Sequence, residues 1–353
     1  MPGLLAAVLA FGIVQASDKG DLGDGSADSG VVLLGAILPF SGAEADIGEE
    51  YRRAIELALA DANVPMQVIY EDSTGQPARA VEAFRRLASR GVQAVLTVQS
   101  WTSNAVYPLA AEQGIVQLAL GSAVFYRQGP GLAARLTVDV ADEARYLTGH
   151  LTEYRRVAVV QMDNDYGRGW TAQLRELFGD AIVAVVPYPL DENDFSGLVA
   201  TVKAADPDLL VMLSTAEAAA ILRELRAAGV DAQAAGPRPI ERPEVRDEPA
   251  ADGLLYSIPL YDVQHPFIPR YTELYGEPPT VFGAEGYDAV ITLARAIADC
   301  GGSWDASCVH QWYVGRDYEG ALGQVRFDES ADAHYAFTLR QVRDGAFVSA
   351  EVD

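Results

Sequence analysis

The stretch Met162-Asp-Asn-Asp-Tyr-Gly-Arg-Gly-Trp170 places a phenol, two carboxylates, an amide and two glycines between the apolar run Arg156-Val-Ala-Val-Val160 and a helical-looking segment. A tyrosine at such a turn has four available jobs: loop filler, part of a phosphate cradle, a catalytic phenol, or one wall of a binding cleft. Gly167 and Gly169 lack the third glycine and following acid of a dinucleotide fingerprint, so the cradle drops out. No Walker phosphate loop, H-E-x-x-H, G-x-S-x-G or C-x-x-C is found, and the histidines at 150, 265, 310 and 334 have no metal-ligand spacing. The chain therefore reads as built to bind, with no catalytic residue, metal or cofactor expected and an α/β enzyme as the less favoured alternative.

A second pair with chemistry is Cys300 and Cys308, which flank the short loop "GGSWDAS" between two helical segments. An even pair in an exported chain reads as a disulfide. A zinc site is a poor fit because His310 is the only nearby histidine, and two free thiols are the alternative.

The chain has 353 residues, half of them hydrophobic, which is enough for a large core and favours two domains over one. Its formal charge is −24, with 50 acidic against 26 basic residues. That balance argues against nucleic acid or an anionic membrane as the main partner, since both reward clusters of Lys and Arg. Residues 3–16, "GLLAAVLAFGIVQA", form an apolar run too short to span a bilayer and end in a small-residue pattern, so residues 1–16 read as an export signal. No Lys or Arg precedes that run, and a buried N-terminal helix is the alternative. Residues 17–30, "SDKGDLGDGSADSG", read as a disordered tether.

The elements that must position these residues alternate. Strand-like runs at 31–38, 66–70, 94–98 and 115–120 are separated by helical segments at 47–62, 77–90 and 103–113. Strands that are apolar throughout signal a parallel sheet covered on both faces. The pattern then repeats: helix 141–154, strand 157–161, helix 166–178, strand 182–186, helix 195–204, strand 209–213 and helix 216–228. Two such series point to an α/β fold of two doubly wound, Rossmann-like lobes. Residues 236–252, "GPRPIERPEVRDEPAAD", are proline-rich and charged and read as a surface loop. A strand at 253–259, helices within 265–279 and 282–298, and an antiparallel-looking pair at 324–327 and 335–342 complete the pattern.

Several blocks together resemble the type I periplasmic binding proteins related to the leucine/isoleucine/valine-binding protein. The run "VVLLGAILPFSGAEADIGEEYRRAIELALADAN" (31–63) is similar to that family's opening strand, Pro-x-Ser-Gly turn and glycine-initiated helix. "RRVAVVQMDNDYGRGW" (155–170) resembles its Asp-x-x-Tyr-Gly turn, and "GAEGYDAVITLARAI" (283–297) its Tyr-Asp-Ala-Val helix. The resemblance implies two lobes joined by a multi-stranded hinge, with lobe 1 at 31–140 plus 259–330 and lobe 2 at 141–258 plus 331–353. It also implies a periplasmic or otherwise exported monomer that traps a small molecule between its lobes and delivers it to an ABC permease and ATPase. A sensing receptor subunit of the same fold is the alternative.

Carried over residue by residue, the resemblance implies a ligand-binding set of Ser100, Trp101, Ser122, Ala123, Tyr166, Ser214, Arg238 and Ile47. Ser100 takes the place of a serine that bonds the ligand carboxylate. Trp101 beside it is either an aromatic wall or lobe-surface packing. Ser122-Ala123 stands where the family has Ala-Thr, so the hydroxyl is displaced by one residue. Ile47 replaces a tryptophan and widens the pocket. Tyr166 becomes a cleft wall, and its replacement by Ala is expected to weaken binding while leaving stability nearly unchanged. The sharpest departure is Gly236-Pro237-Arg238-Pro239, where the family has Gly-Pro-Glu-Gly. An arginine cannot receive an α-ammonium, but it can clasp a carboxylate bidentately. The ligand is accordingly expected to be a small polar organic solute, amino acid or carboxylate-type, with a carboxylate favoured over a plain α-amino acid.

Overall fold

The computed structural model describes residues 30–123, 131–190 and 192–350. The expected export signal, and the tether apart from Gly30, lie outside the described residues.

Fully apolar runs form the inner strands, and amphipathic segments lay their apolar stripes on them. In the first lobe, β1 (Val32–Leu38), β2 (Met66–Asp72), β3 (Ala94–Val98), β4 (Val116–Leu120) and β5 (Ala133–Arg135) make a parallel sheet in the order β2-β1-β3-β4-β5. Helix α1 (Ala45–Asp61) follows β1, α2 (Pro77–Ser89) follows β2 and α3 (Ser100–Gln113) follows β3. The sheet is covered on both faces. Phe84, Leu87 and Val106 of α2 and α3 pack with Ile37 and Val95 on one side, while Leu34, Leu96 and Leu118 face α1 on the other.

The second lobe contains α4 (Val140–Gly149), β6 (Val157–Met162), α5 (Asp165–Phe178), β7 (Ile182–Tyr188), α6 (Ser196–Ala205), β8 (Leu209–Leu213), α7 (Ala218–Ala227), β9 (Gln233–Gly236), α8 (Pro243–Arg246) and β10 (Leu255–Pro259). The chain then returns to the first core through α9 (Phe267–Tyr275), α10 (Val281–Asp299) and α11 (Ala306–Tyr313), followed by a small antiparallel sheet of β11 (Asp317–Gly320), β12 (Gly323–Phe327) and β13 (Ala333–Tyr335). Strands β14 (Phe337–Arg343) and β15 (Ala346–Ser349) complete the second sheet, ordered β15-β14-β10-β9-β8-β6-β7. Its strands β6 to β10 run parallel, while β14 is antiparallel to β10 and β15 is antiparallel to β14.

The chain passes between the two cores three times: from Leu136 to Val140, from Ile258 to Phe267, and from Ala333 to Leu339. The strand order reverses between β1 and β3 in one sheet and between β6 and β8 in the other. Ligands of doubly wound sheets bind outside the strand carboxyl ends at such switch points.

The structure corrects three expectations of the sequence. The stretch 335–342 is not one strand, because the crossing at Ala336 divides it between two sheets. Helix α3 begins at Ser100, which moves that serine from a loop into the first turn. The segment 236–252 is not a surface loop, since Arg238, Pro239, Ile240 and Val245 are buried. Its prolines open short helical turns, at Pro243 of α8 and at Pro249, where the missing N–H has no partner to lose. The disulfide expected between Cys300 and Cys308 is present and joins the end of α10 to α11.

Candidate functional site

The carboxyl ends of the two sheets face each other. Between them lies a cavity of about 60 Å³, lined from the first lobe by Glu44, Ile47, Tyr51, Gln99, Ser100, Trp101, Ser122 and Phe282 and from the second by Met162, Tyr166, Thr215, Arg238 and Pro239. That space holds a few waters, so a solute of amino-acid size requires the lobes to part slightly.

Local structure explains why these side chains converge. Gly121 ends β4 against the start of α3, where an added Cβ would lie 2.8 Å from the Ser100 Cα and 3.0 Å from the Gln99 carbonyl oxygen. The Ser100 Oγ accepts from the Ala123 N–H at 3.0 Å, which pins that loop and leaves the hydroxyl proton free to donate. Trp101 donates from its indole N–H to the Gly75 carbonyl at 2.7 Å, and its ring packs into the apolar cluster of the second lobe. It is thus both a cavity wall and a contact between lobes. In the second lobe the Asn164 side chain caps α5 by accepting from the Gly167 N–H at 3.0 Å. At Gly167 a Cβ would meet the Met162 carbonyl oxygen at 2.1 Å, so the glycine lets α5 start directly against the end of β6.

This places Tyr166 at the cavity, only 5% exposed, with its ring edge-on to Trp170 at a centroid distance of 6.4 Å. Its hydroxyl makes no well-formed hydrogen bond. Burial, and then the nearby Glu143 carboxylate, push the phenol well above its ordinary range. The ring is also part of the lobe's packing, which argues against the expectation that its removal spares stability.

Arg238 reaches out of the second lobe into the first. Its Nη2 donates to the Thr137 Oγ1 at 2.7 Å and lies 3.1 Å from the Glu285 Oε1. Its Nη1 lies 3.2 Å from the Ser122 Oγ and 3.7 Å from the Glu143 Oε2, and its backbone N–H donates to the Glu143 Oε1 at 3.0 Å. Burial opposes the guanidinium charge, and Glu285 and Glu143 outweigh it and hold the group protonated. Burial raises Glu143 as well, against the pull of Arg238. Both Nη groups are engaged by the protein, so the bidentate clasp of a ligand carboxylate expected of Arg238 is not available in this arrangement. Only its Nε is left buried without a partner.

Of the other expected residues, Ile47 and Ser122 line the cavity, whereas Ala123 and Ser214 do not. The Ser214 Oγ instead lies 2.7 Å from the Tyr188 hydroxyl oxygen and can donate to it, since the phenol proton goes to Glu217, and the adjacent Thr215 takes the place at the wall. Sequence reasoning missed Glu44, Gln99, Tyr51, Phe282, Glu143 and Glu285. One signal was available for Glu285: it is an acid within α10, a helix buried along most of its 19 residues. Gln99 adopts φ 65, ψ 139, a conformation sparsely populated by non-glycine residues.

Among the described residues no group of three or more His, Cys, Asp and Glu is placed to hold a metal ion, and no helix is long and apolar enough to cross a membrane.

The fold is similar to that of solved binding proteins. An extracellular ligand binding receptor from Desulfohalobium retbaense shares 38% identity with a TM-score of 0.86 over 91% of this chain, and the match spans 59% of that receptor's own length. A solute binding protein of an ABC transporter from Rhodopseudomonas palustris, in complex with benzoate, shares 19% identity with a TM-score of 0.82 over 91% of this chain and 96% of that one. The Leu/Ile/Val-binding protein homolog 3 of Brucella melitensis is 22% identical over 94% of this chain and 96% of its own length. The relatives are named as binding proteins and receptors, not enzymes. The model of the periplasmic binding protein family matches residues 31–346, and the chain belongs to that family.

Proposed function

We propose that this chain is exported to the periplasm or cell exterior and acts there, as a monomer, as the solute-binding component of an ABC importer. In this reading it captures one small polar organic solute between its lobes and presents the closed form to a permease and ATPase complex. The observation that carries the reading is the cavity at the two sheet switch points, whose wall is contributed by both lobes. A solute touching Ser100 and Ile47 on one side and Tyr166 and Thr215 on the other binds the closed form better than the open one. Closure is then coupled to occupancy by that difference in affinity.

The wall is mostly apolar, with a few convergent polar groups, which suits a solute with a hydrophobic body and one polar end. Of the amino-acid and carboxylate types, the engagement of Arg238 by Glu285 and Glu143 favours the former. A sensing role is the second reading, favoured by the likeness to a ligand binding receptor longer than this chain.

The test is a thermal-shift screen of the purified protein against amino acids, short carboxylates, amines and polyols, followed by X-ray scattering with each hit. A member of one class is expected to raise Tm and contract the particle. Stabilisation without contraction would argue against capture between the lobes.

A further inference from the structure

We propose that the captured solute carries a protonated amine, and that its ammonium group is held at the cavity by Glu44 and Gln99 of the first lobe, with Glu217 of the second lobe facing them. The inference rests on the solute-binding reading above and names the charge of the ligand.

Glu44 precedes α1 yet makes no side-chain cap to that helix. Its carboxylate instead accepts from the Gln99 Nε2 amide, beside the cavity that both residues line. That bond fixes the orientation of the Gln99 amide and leaves its Oε1 buried without a hydrogen-bond partner. A buried carbonyl oxygen costs free energy until a donor meets it. Gln99 is held in a strained backbone conformation at this same point, and such strain persists where the surrounding structure imposes it.

The charge around the pair is unbalanced. Glu44 faces Glu217 and Asp46 against the single cation Arg242, which is itself paired with Asp46. Glu217 is fixed by the Tyr188 and Thr215 hydroxyls, at 2.7 and 2.6 Å, and keeps lone pairs to spare. Deeper in the cleft Arg238 is shared by Glu143 and Glu285. A ligand carboxylate would add to an acidic excess in a poorly hydrated space, whereas an ammonium offsets it and brings three N–H donors to the open acceptors. The aromatic rings of Tyr51, Trp101, Tyr166 and Phe282 at the same cavity also favour a cation over an anion.

The experiment is calorimetric titration of the intact protein with matched probes: 3-methylbutylamine against 4-methylpentanoate, 2-phenylethylamine against 3-phenylpropanoate, and the parent L-leucine and L-phenylalanine. Amine-bearing probes are expected to bind and the carboxylates lacking an amine are not. Glu44→Gln is expected to weaken the amine probes by about tenfold or more, the effect of losing one charged hydrogen bond. Its free Tm should not fall, since a half-buried carboxylate facing other acids is removed. Carboxylates binding as well as their amine partners, or amine affinity unchanged in Glu44→Gln, would overturn the assignment while leaving the cleft a solute site. Binding of no probe would count against the solute-binding reading and this one together.

Discussion

The Arg238 Nη2 of the second lobe lies 3.1 Å from the Glu285 Oε1 of the first, and both side chains are almost fully buried. Around this pair, Tyr51 donates its hydroxyl to the Glu285 Oε2 at 2.7 Å and Thr137 donates to the Oε1 at 2.6 Å. A charge pair in a dry interior stabilises little against its own desolvation, but breaking it is costly because one ion is left uncompensated. Here the pair spans the cleft. The ion left behind can regain water if the lobes open, so the cost of breaking it falls on closure more than on folding.

Replacing Arg238 by Met should therefore open the protein. Removing one partner of a buried pair costs roughly 3–5 kcal/mol. If about 3 kcal/mol of that falls on the closed form, ligand affinity drops about a hundredfold. X-ray scattering should show a larger radius of gyration for the ligand-free variant, and adding Glu285→Gln should restore part of the affinity. A radius and affinity equal to those of the parent would remove Arg238 from the account of closure.

Tyr166 separates packing from recognition through two substitutions. Tyr166→Phe removes only the hydroxyl that lacks a well-formed bond, so the Tm of the free protein should stay the same or rise. Tyr166→Ala leaves a hole beside Trp170 and should cost about 3–5 kcal/mol of stability as well as ligand binding. Chemical denaturation reads the stability, and titration reads the affinity. A Tyr166→Ala protein as stable as its parent would show that the ring only covers ligand.

Binding of an amine should depend on pH through Glu44, pushed up from its ordinary 4.5 to about 7. Burial is the main cause, with Glu217 and Asp46 adding to the rise and the Gln99 amide and Arg242 opposing it. The group favours the closed, ligand-free form when protonated; this contribution is fully present below about 4.5 and is lost as pH rises through 7. An ammonium ligand needs the ionised form, so its affinity should fall by up to tenfold per unit as pH drops below 7. Titrations across pH 5.5–8.5 should show that slope in the parent and a much flatter one in Glu44→Gln, which separates Glu44 from the other raised carboxylates, Glu50, Glu143, Glu241 and Asp288. Equal slopes in the two proteins would assign the dependence to those other groups.

The Cys300–Cys308 bridge closes a loop with a sequence separation of 8 at the end of α10. On the chain-entropy model such a loop is worth about 2–3 kcal/mol. Reduction, or replacement of both cysteines by serine, should lower Tm by several degrees and leave ligand affinity unchanged, because neither cysteine lines the cleft. A loss of affinity on reduction would mean that the bridge also supports the binding geometry.

Legibility in the sequence followed the range of each interaction. Leu209–Leu213 and Ala94–Val98 were readable to the residue because inner strands of a covered sheet are apolar throughout. Strands such as β5, three residues long, and β9, four residues, carry too little pattern to stand out. Ser214 and Thr215 are neighbours whose side chains point different ways, so a one-residue slip exchanges a cavity wall for a buried bond to Tyr188. Arg238 was visible as a departure from a family motif, but its partner Glu143 is 95 residues away in sequence, and no local signal joins them. The prolines around it signalled a loop where the structure uses them to begin helical turns.

Capture of one small solute between the lobes is tested most directly by native mass spectrometry of protein purified without denaturation, beside a Thr215→Trp variant whose indole would fill the cavity. The parent should carry a single low-mass organic adduct in one-to-one ratio, restored after dialysis by an amine-bearing probe, and the variant should still fold, as circular dichroism reads, and carry none. An adduct retained by Thr215→Trp, or a parent that takes up no adduct from any probe, would contradict the account.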